Sequence, residues 1–109
     1  MAKIVPQTTY SDAQRELLRN FAERYMWWKL PSEALLYPER ILAQVMNLGT
    51  YDDLRRLVTT FGYEQLRQVL GNAEPGWFNE RSWFFWHYRL GMATLEKAPP
   101  PLPVRVIPA

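Results

Sequence analysis

The 109-residue chain contains no cysteine. That absence removes disulfides, thiolate nucleophiles, iron–sulfur clusters and cysteine-based zinc sites together. The single histidine, His87, has no carboxylate three or four residues away on either side. A lone imidazole of this kind is a poor metal site, and as a general base it lacks a nucleophile in reach, since Ser82 falls on another face. His87 therefore reads as a structural hydrogen-bonding residue. Glycine is sparse, with five residues. The loop 71–76 runs into Trp77-Phe78 rather than Lys-Ser/Thr, so there is no phosphate-cradling loop. No run approaches the ~18 apolar residues of a membrane-spanning helix. The longest candidate, around Trp83 to Leu90, is interrupted by His87 and Arg89. The start, Met1-Ala2-Lys3-Ile4-Val5-Pro6, lacks the long apolar stretch of a secretory signal.

Neither sign of charge dominates: 13 basic and 11 acidic residues leave a net charge of +2. A nucleic-acid footprint usually shows as a concentrated basic stripe. Here Glu16, Arg19, Glu23 and Arg24 alternate along one segment, and Asp52, Asp53, Arg55 and Arg56 along another, as on solvated helix faces. Asp52 and Asp53 are adjacent, so on a helix they point about 100° apart and do not converge as a catalytic pair. They suit the positive first turn of a helix. No acid, base, nucleophile or metal set can be assembled. The chain reads as a cytoplasmic, non-catalytic protein with no cofactor and no membrane segment.

What the chain has in excess is aromatic surface. Seven of its 16 aromatic residues lie between Trp77 and Tyr88. Trp83, Phe84, Phe85, Trp86 and Tyr88 fall in one predicted helix and point all round it, which calls for burial on every side. Trp83, Trp86, His87 and Leu90 share a stripe at i, i+3, i+4, i+7. Phe84 and Tyr88 lie on a neighbouring stripe and Phe85 on a third. Either all of them fill a core, with Trp N–H and Tyr O–H tips on polar partners, or one stripe is core and another meets a partner chain, where Trp and Tyr form hot spots. A body of 109 residues has one modest core, which favours a partner.

Glycine and proline punctuate the rest into an all-α pattern of about five short helices in a compact bundle. Residues 1–10 read as a flexible arm, 11–92 as the helical domain and 93–109 as a proline-rich extended tail. Ser11 and Gln14 form a capping box ahead of Leu17, Leu18, Phe21 and Tyr25 at helical spacing, predicting a helix over 12–26. Trp27 and Trp28 close it, and Pro31 bars simple continuation. Residues 32–37 read as a short turn or one helical turn. Pro38 opens a helix carrying Ile41, Leu42, Val45 and Leu48, which Gly49 stops in a left-handed conformation. Thr50 caps the next, with Leu54, Leu57, Val58 and Phe61 inward, and Gly62 ends it. A further helix over 63–70 turns Leu66, Val69 and Leu70 inward. Asn79 caps the aromatic helix over 80–90, and Gly91 terminates it.

The helices meeting at Gly62 also match a helix-turn-helix in length, with Gln65, Arg67 and Gln68 placed to read base edges. That gives an alternative reading as a DNA-binding regulator. The tail carries Pro99, Pro100, Pro101, Pro103 and Pro108 and two formal matches to polyproline ligands of SH3 type. It reads as a strap across its own domain or a partner, with Val104, Val106 and Ile107 as the grip, or as free chain. The partner-contacting residues expected are Trp83, Phe84, Trp86, Tyr88, Val104, Val106 and Ile107. Their counterpart is another protein or a second copy of this chain.

The segments WWKLPSEALLYPERILAQVMNLGTYDDLRRL (27–57) and PGWFNERSWFFWHYRLG (75–91) together resemble a family of small bacterial helical proteins. Members of that family are commonly encoded beside nucleotidyltransferases of the abortive-infection toxin type. The resemblance runs over about residues 27–106 and rests on Tyr37-Pro38-Glu39-Arg40, Arg81-Ser82-Trp83 and the stretch Phe85 to Gly91. It implies a toxin–antitoxin or phage-defence pair in which this chain is the antitoxin. It carries over no catalytic residue.

Overall fold

Local chemistry sets most helix starts. The computed structural model describes residues 10–104. Helix α1, Asp12–Tyr25, begins at the expected capping box: the Ser11 hydroxyl accepts from the Gln14 N–H at 3.1 Å, and the Gln14 side chain accepts from the Ser11 N–H at 3.0 Å. Pro31 opens a four-residue helix, α2, Pro31–Ala34, the single helical turn that is one of the two readings of this segment. Pro38 is the first residue of α3, Pro38–Leu48, where its missing N–H costs nothing. Thr50 and Asn79 cap α4, Tyr51–Gly71, and α5, Glu80–Arg89, each accepting from a backbone N–H three residues on. Among the described residues there are five helices and no strand. No described helix is long and apolar enough to cross a membrane.

Gly62 breaks the helix where the sequence placed a break. It alone leaves helical geometry, at φ 81° and ψ 163°, and the two helical segments of α4 meet there at a kink. That backbone region is essentially reserved for glycine. Gly62→Ala is expected to cost about 1–2 kcal/mol in urea unfolding, although nothing lies within 4 Å of the added methyl. A neutral substitution there would show that the kink relaxes freely. Gly49, by contrast, is not left-handed; it is extended, at φ −66°. Glycine is needed there for close approach, because a Cβ would sit 2.5 Å from the Val45 carbonyl oxygen.

The helix enclosed on most sides is α3, not α5. Ile41, Leu42, Ala43, Val45 and Met46 are all buried and span more than half its circumference. Helices α1, α4 and α5 pack against it. The radius of gyration is 14.0 Å, close to the ~13 Å of a well-packed domain of this length. Tyr10 is also buried, edge-on to Phe61 with ring centroids 6.1 Å apart. The expected arm over 1–10 therefore loses residue 10 to the domain. Residues 1–9 lie outside the described residues.

The end of α3 positions α5. The last carbonyls of a helix have no partner within it. Here the Gly49 N–H donates to the Val45 carbonyl at 2.7 Å, the Trp86 indole N–H to Met46 at 2.8 Å, and the Ser82 hydroxyl to Asn47 at 3.3 Å. The Asn47 side chain in turn accepts from the Asn79 N–H at 3.0 Å. From this anchor α5 packs on α3 and faces the first half of α4 across a groove. Its far end is held by the Arg67 guanidinium, which donates to the Leu90 carbonyl at 2.9 Å.

Candidate functional site

The aromatic helix divides along the stripes read from its sequence. Trp83, Trp86, His87 and Leu90 are each no more than 3% exposed. Phe84, Phe85 and Tyr88 are 40%, 53% and 48% exposed. Trp83 and Trp86 are thus corrected from partner-contacting residues to core. Their polar tips are satisfied inside the molecule: the Trp83 N–H donates to the Pro100 carbonyl and the Trp86 N–H to the Met46 carbonyl, both at 2.8 Å. The expectation that this helix is buried on every side is corrected too, since two of its three stripes face outward. His87 plays the structural part expected. Its Nδ1 lies 2.7 Å from the Trp83 carbonyl oxygen, and its own carbonyl accepts from the N–H groups of Met92 and Ala93.

The start of the tail crosses its own domain. Trp83 binds the Pro100 carbonyl, and Leu102 packs on the core as a partly buried side chain. The grip is therefore Pro100 and Leu102 rather than Val104, which is exposed. Val106 and Ile107 lie outside the described residues.

Outward Phe85 meets α4 across a groove of about 260 Å³. Tyr51, Leu54 and Val58 line it from α4, Phe85 and Trp86 from α5, with Arg55 and Arg89 at its margins. Phe85 stands edge-on to Trp86, with centroids 5.3 Å apart, so the buried indole braces the exposed ring. Sequence reasoning placed Leu54 and Val58 in the core; both are half-buried and form the floor. It gave Tyr51 and Phe85 no role at this surface. Their signal was weak, because only the packing of α4 and α5 on α3 brings them to one groove. A second exposed pair, Trp27 and Trp28, stacks edge-on at 5.8 Å beyond α1. The sequence treated that pair only as a helix end.

Asp52 and Asp53 diverge as expected, but Asp53 does more than meet a helix dipole. It is buried, and its carboxylate takes a two-point contact from Arg24 at 3.0 and 2.5 Å plus the Tyr25 hydroxyl. The Arg24 hydrogen bonds outweigh burial and hold the Asp53 carboxyl at about 2, well below its ordinary 3.8. Burial, then the hydrogen bond to Asp53, pushes the Tyr25 phenol up. This cluster ties α1 to α4. It contains no nucleophile or open cleft. Among the described residues no group of three or more His, Asp or Glu side chains could hold a metal ion.

Around Gly62, Arg67 is occupied by the Leu90 carbonyl and by Glu64, and Leu66, Val69 and Leu70 are buried. Only Gln68 of the residues expected to read bases is exposed; Gln65 is half-buried. No protein-family model, curated protein or solved structure matches this chain.

Proposed function

We propose that this chain is a cytoplasmic, non-catalytic protein-binding module. Its partner is a nucleotidyltransferase toxin, for which it serves as antitoxin. The observation that carries the binding role is the outward aromatic face of α5: Phe84, Phe85 and Tyr88 stay 40–53% exposed while the opposite stripe is buried. Aromatic rings held on a rigid helix lose little conformational entropy on contact and are typical hot spots. The resemblance of residues 27–106 to small proteins encoded beside such toxins supplies the identity of the partner.

The test is a titration of the full chain against the nucleotidyltransferase encoded beside it, with toxin-induced growth arrest as a second readout. Phe84→Ala and Tyr88→Ala are each expected to weaken the complex by about 2 kcal/mol, roughly thirtyfold, and to impair rescue from arrest. Their thermal unfolding should match the parent. Wild-type affinity in both variants overturns the role of this face. A chain that ignores the toxin but binds duplex DNA, with affinity falling steeply as salt rises, overturns the antitoxin reading in favour of a regulator.

A further inference from the structure

The groove beside Phe85 has a shape and a charge pattern that point to a particular kind of occupant. On α4 the lining residues Tyr51, Leu54, Arg55, Val58 and Thr59 recur at i, i+3, i+4, i+7 and i+8. They form a straight stripe roughly 12 Å long, about two helical turns. Phe85, Trp86 and Arg89 supply the facing wall from α5. The floor is apolar, and a cation stands at each end. The Arg55 guanidinium lies 5.9 Å from the centre of the Tyr51 ring, at the start of α4. The Arg89 guanidinium lies 5.5 Å from that of Tyr63, just past the kink. Both arginines are exposed, and among the described residues neither forms a salt bridge. Asp52 lines the adjoining groove, which shares Arg55 and Thr59 with this one and adds Arg56 and Thr60, and it forms no salt bridge with Arg55.

We propose that this groove seats an acidic amphipathic helix of the partner protein. Apolar residues at i, i+3 or i+4, and i+7 would fill the floor, and Asp or Glu at either end would pair with Arg55 and Arg89. The inference rests on the reading of the α5 face as a protein-binding surface and adds the chemistry of what binds there. Helices α4 and α5, both packed on α3, leave between them a groove whose α4 wall has the period of a third helix. The two guanidiniums are already held over aromatic rings, so little ordering remains when a carboxylate arrives. A second copy of this chain does not supply such a helix. Helix α1 is not net acidic, since Asp12, Glu16 and Glu23 are balanced by Arg15, Arg19 and Arg24, and its apolar Leu18, Phe21 and Ala22 are buried. The outer face of α5 carries Arg81 and Arg89 beside its rings and would bring like charges together.

The test pans the full chain against a displayed library of random peptides about four helical turns long. Enriched peptides should be acidic and amphipathic. A synthetic version of one should lose about tenfold in affinity with Arg55→Glu and with Arg89→Glu, the scale of a charge-assisted contact. Replacing its acidic residues by Lys should restore binding to the reversed variants. Enrichment of basic, proline-rich or unrelated peptides overturns the inference. So does an acidic peptide indifferent to both reversals, a failure of the Lys-bearing peptide to rescue them, or a preference for a single-stranded oligonucleotide over the peptide. A partner that needs Phe84 and Tyr88 but ignores both charge reversals sinks this inference alone. Loss of dependence on all four residues sinks the protein-binding reading with it.

Discussion

Trp86→Ala is expected to lower the unfolding free energy by about 3–5 kcal/mol, whereas Phe85→Ala, one residue earlier, should change it by about 0.5 kcal/mol. The two rings touch edge-on and are similar in chemistry, but they differ in what surrounds them. Trp86 is 3% exposed and Phe85 53%. Truncating Trp86 opens a cavity against α3 and also strips the Met46 carbonyl of its donor. An unsatisfied buried carbonyl costs about 1–3 kcal/mol by itself. A domain of this size has about 5–15 kcal/mol in total, so Trp86→Ala is expected to populate unfolded chain on mild heating. Trp86→Phe keeps most of the volume and loses only the N–H, and about 1–2 kcal/mol should go with it. Urea titrations with equal slopes measure all three. Similar losses for Phe85→Ala and Trp86→Ala would mean that the division of α5 into an inner and an outer face is wrong.

That division shows how far sequence alone could reach. The stripes of α5 follow from a period of 3.6, and the grouping of Trp83, Trp86, His87 and Leu90 is the one found buried. Choosing which stripe turns inward needs the Met46 and Asn47 carbonyls at the end of α3, about forty positions away in the chain. No local signal carries that information. Caps were legible for the opposite reason: Ser11 with Gln14, Thr50 and Asn79 each act on a backbone N–H three residues on. Gly49 was legible as a stop but not in its reason, since a close approach to Val45 and a left-handed turn leave the same residue in the sequence. The groove beside Phe85 was not legible, because Tyr51 and Phe85 come to one groove only once α4 and α5 are packed on α3. Leu54 and Val58 illustrate a related confusion. A helix stripe facing a groove has the same spacing as one facing a core.

The Asp53 cluster was hidden for the same reason, since Arg24 and Tyr25 lie in another helix, and it makes the second large effect. Arg24→Ala is expected to cost about 3 kcal/mol at neutral pH, because it strands a buried carboxylate without its cation. The Arg24 side chain is 43% exposed, so solvent screening keeps the loss at the low end for a buried pair. In the parent protein the carboxyl titrates at about 2 when folded and at an ordinary 3.8 when unfolded. Between those values the unfolded chain holds more protons than the native one, so stability rises with pH there. The contribution, on the order of 2 kcal/mol, is complete above about pH 4 and disappears as pH falls towards 2. Asp53→Asn removes the charge, so its deficit relative to the parent should shrink over that window. Asp52→Asn, at the exposed neighbouring position, should change stability by about 0.5 kcal/mol or less. Unfolding titrations from pH 7 down to about 2 read out all of this. A deficit for Asp53→Asn that stays constant to the acid end, or an equal deficit for Asp52→Asn, would show that the Arg24–Asp53 contact does not hold α1 to α4.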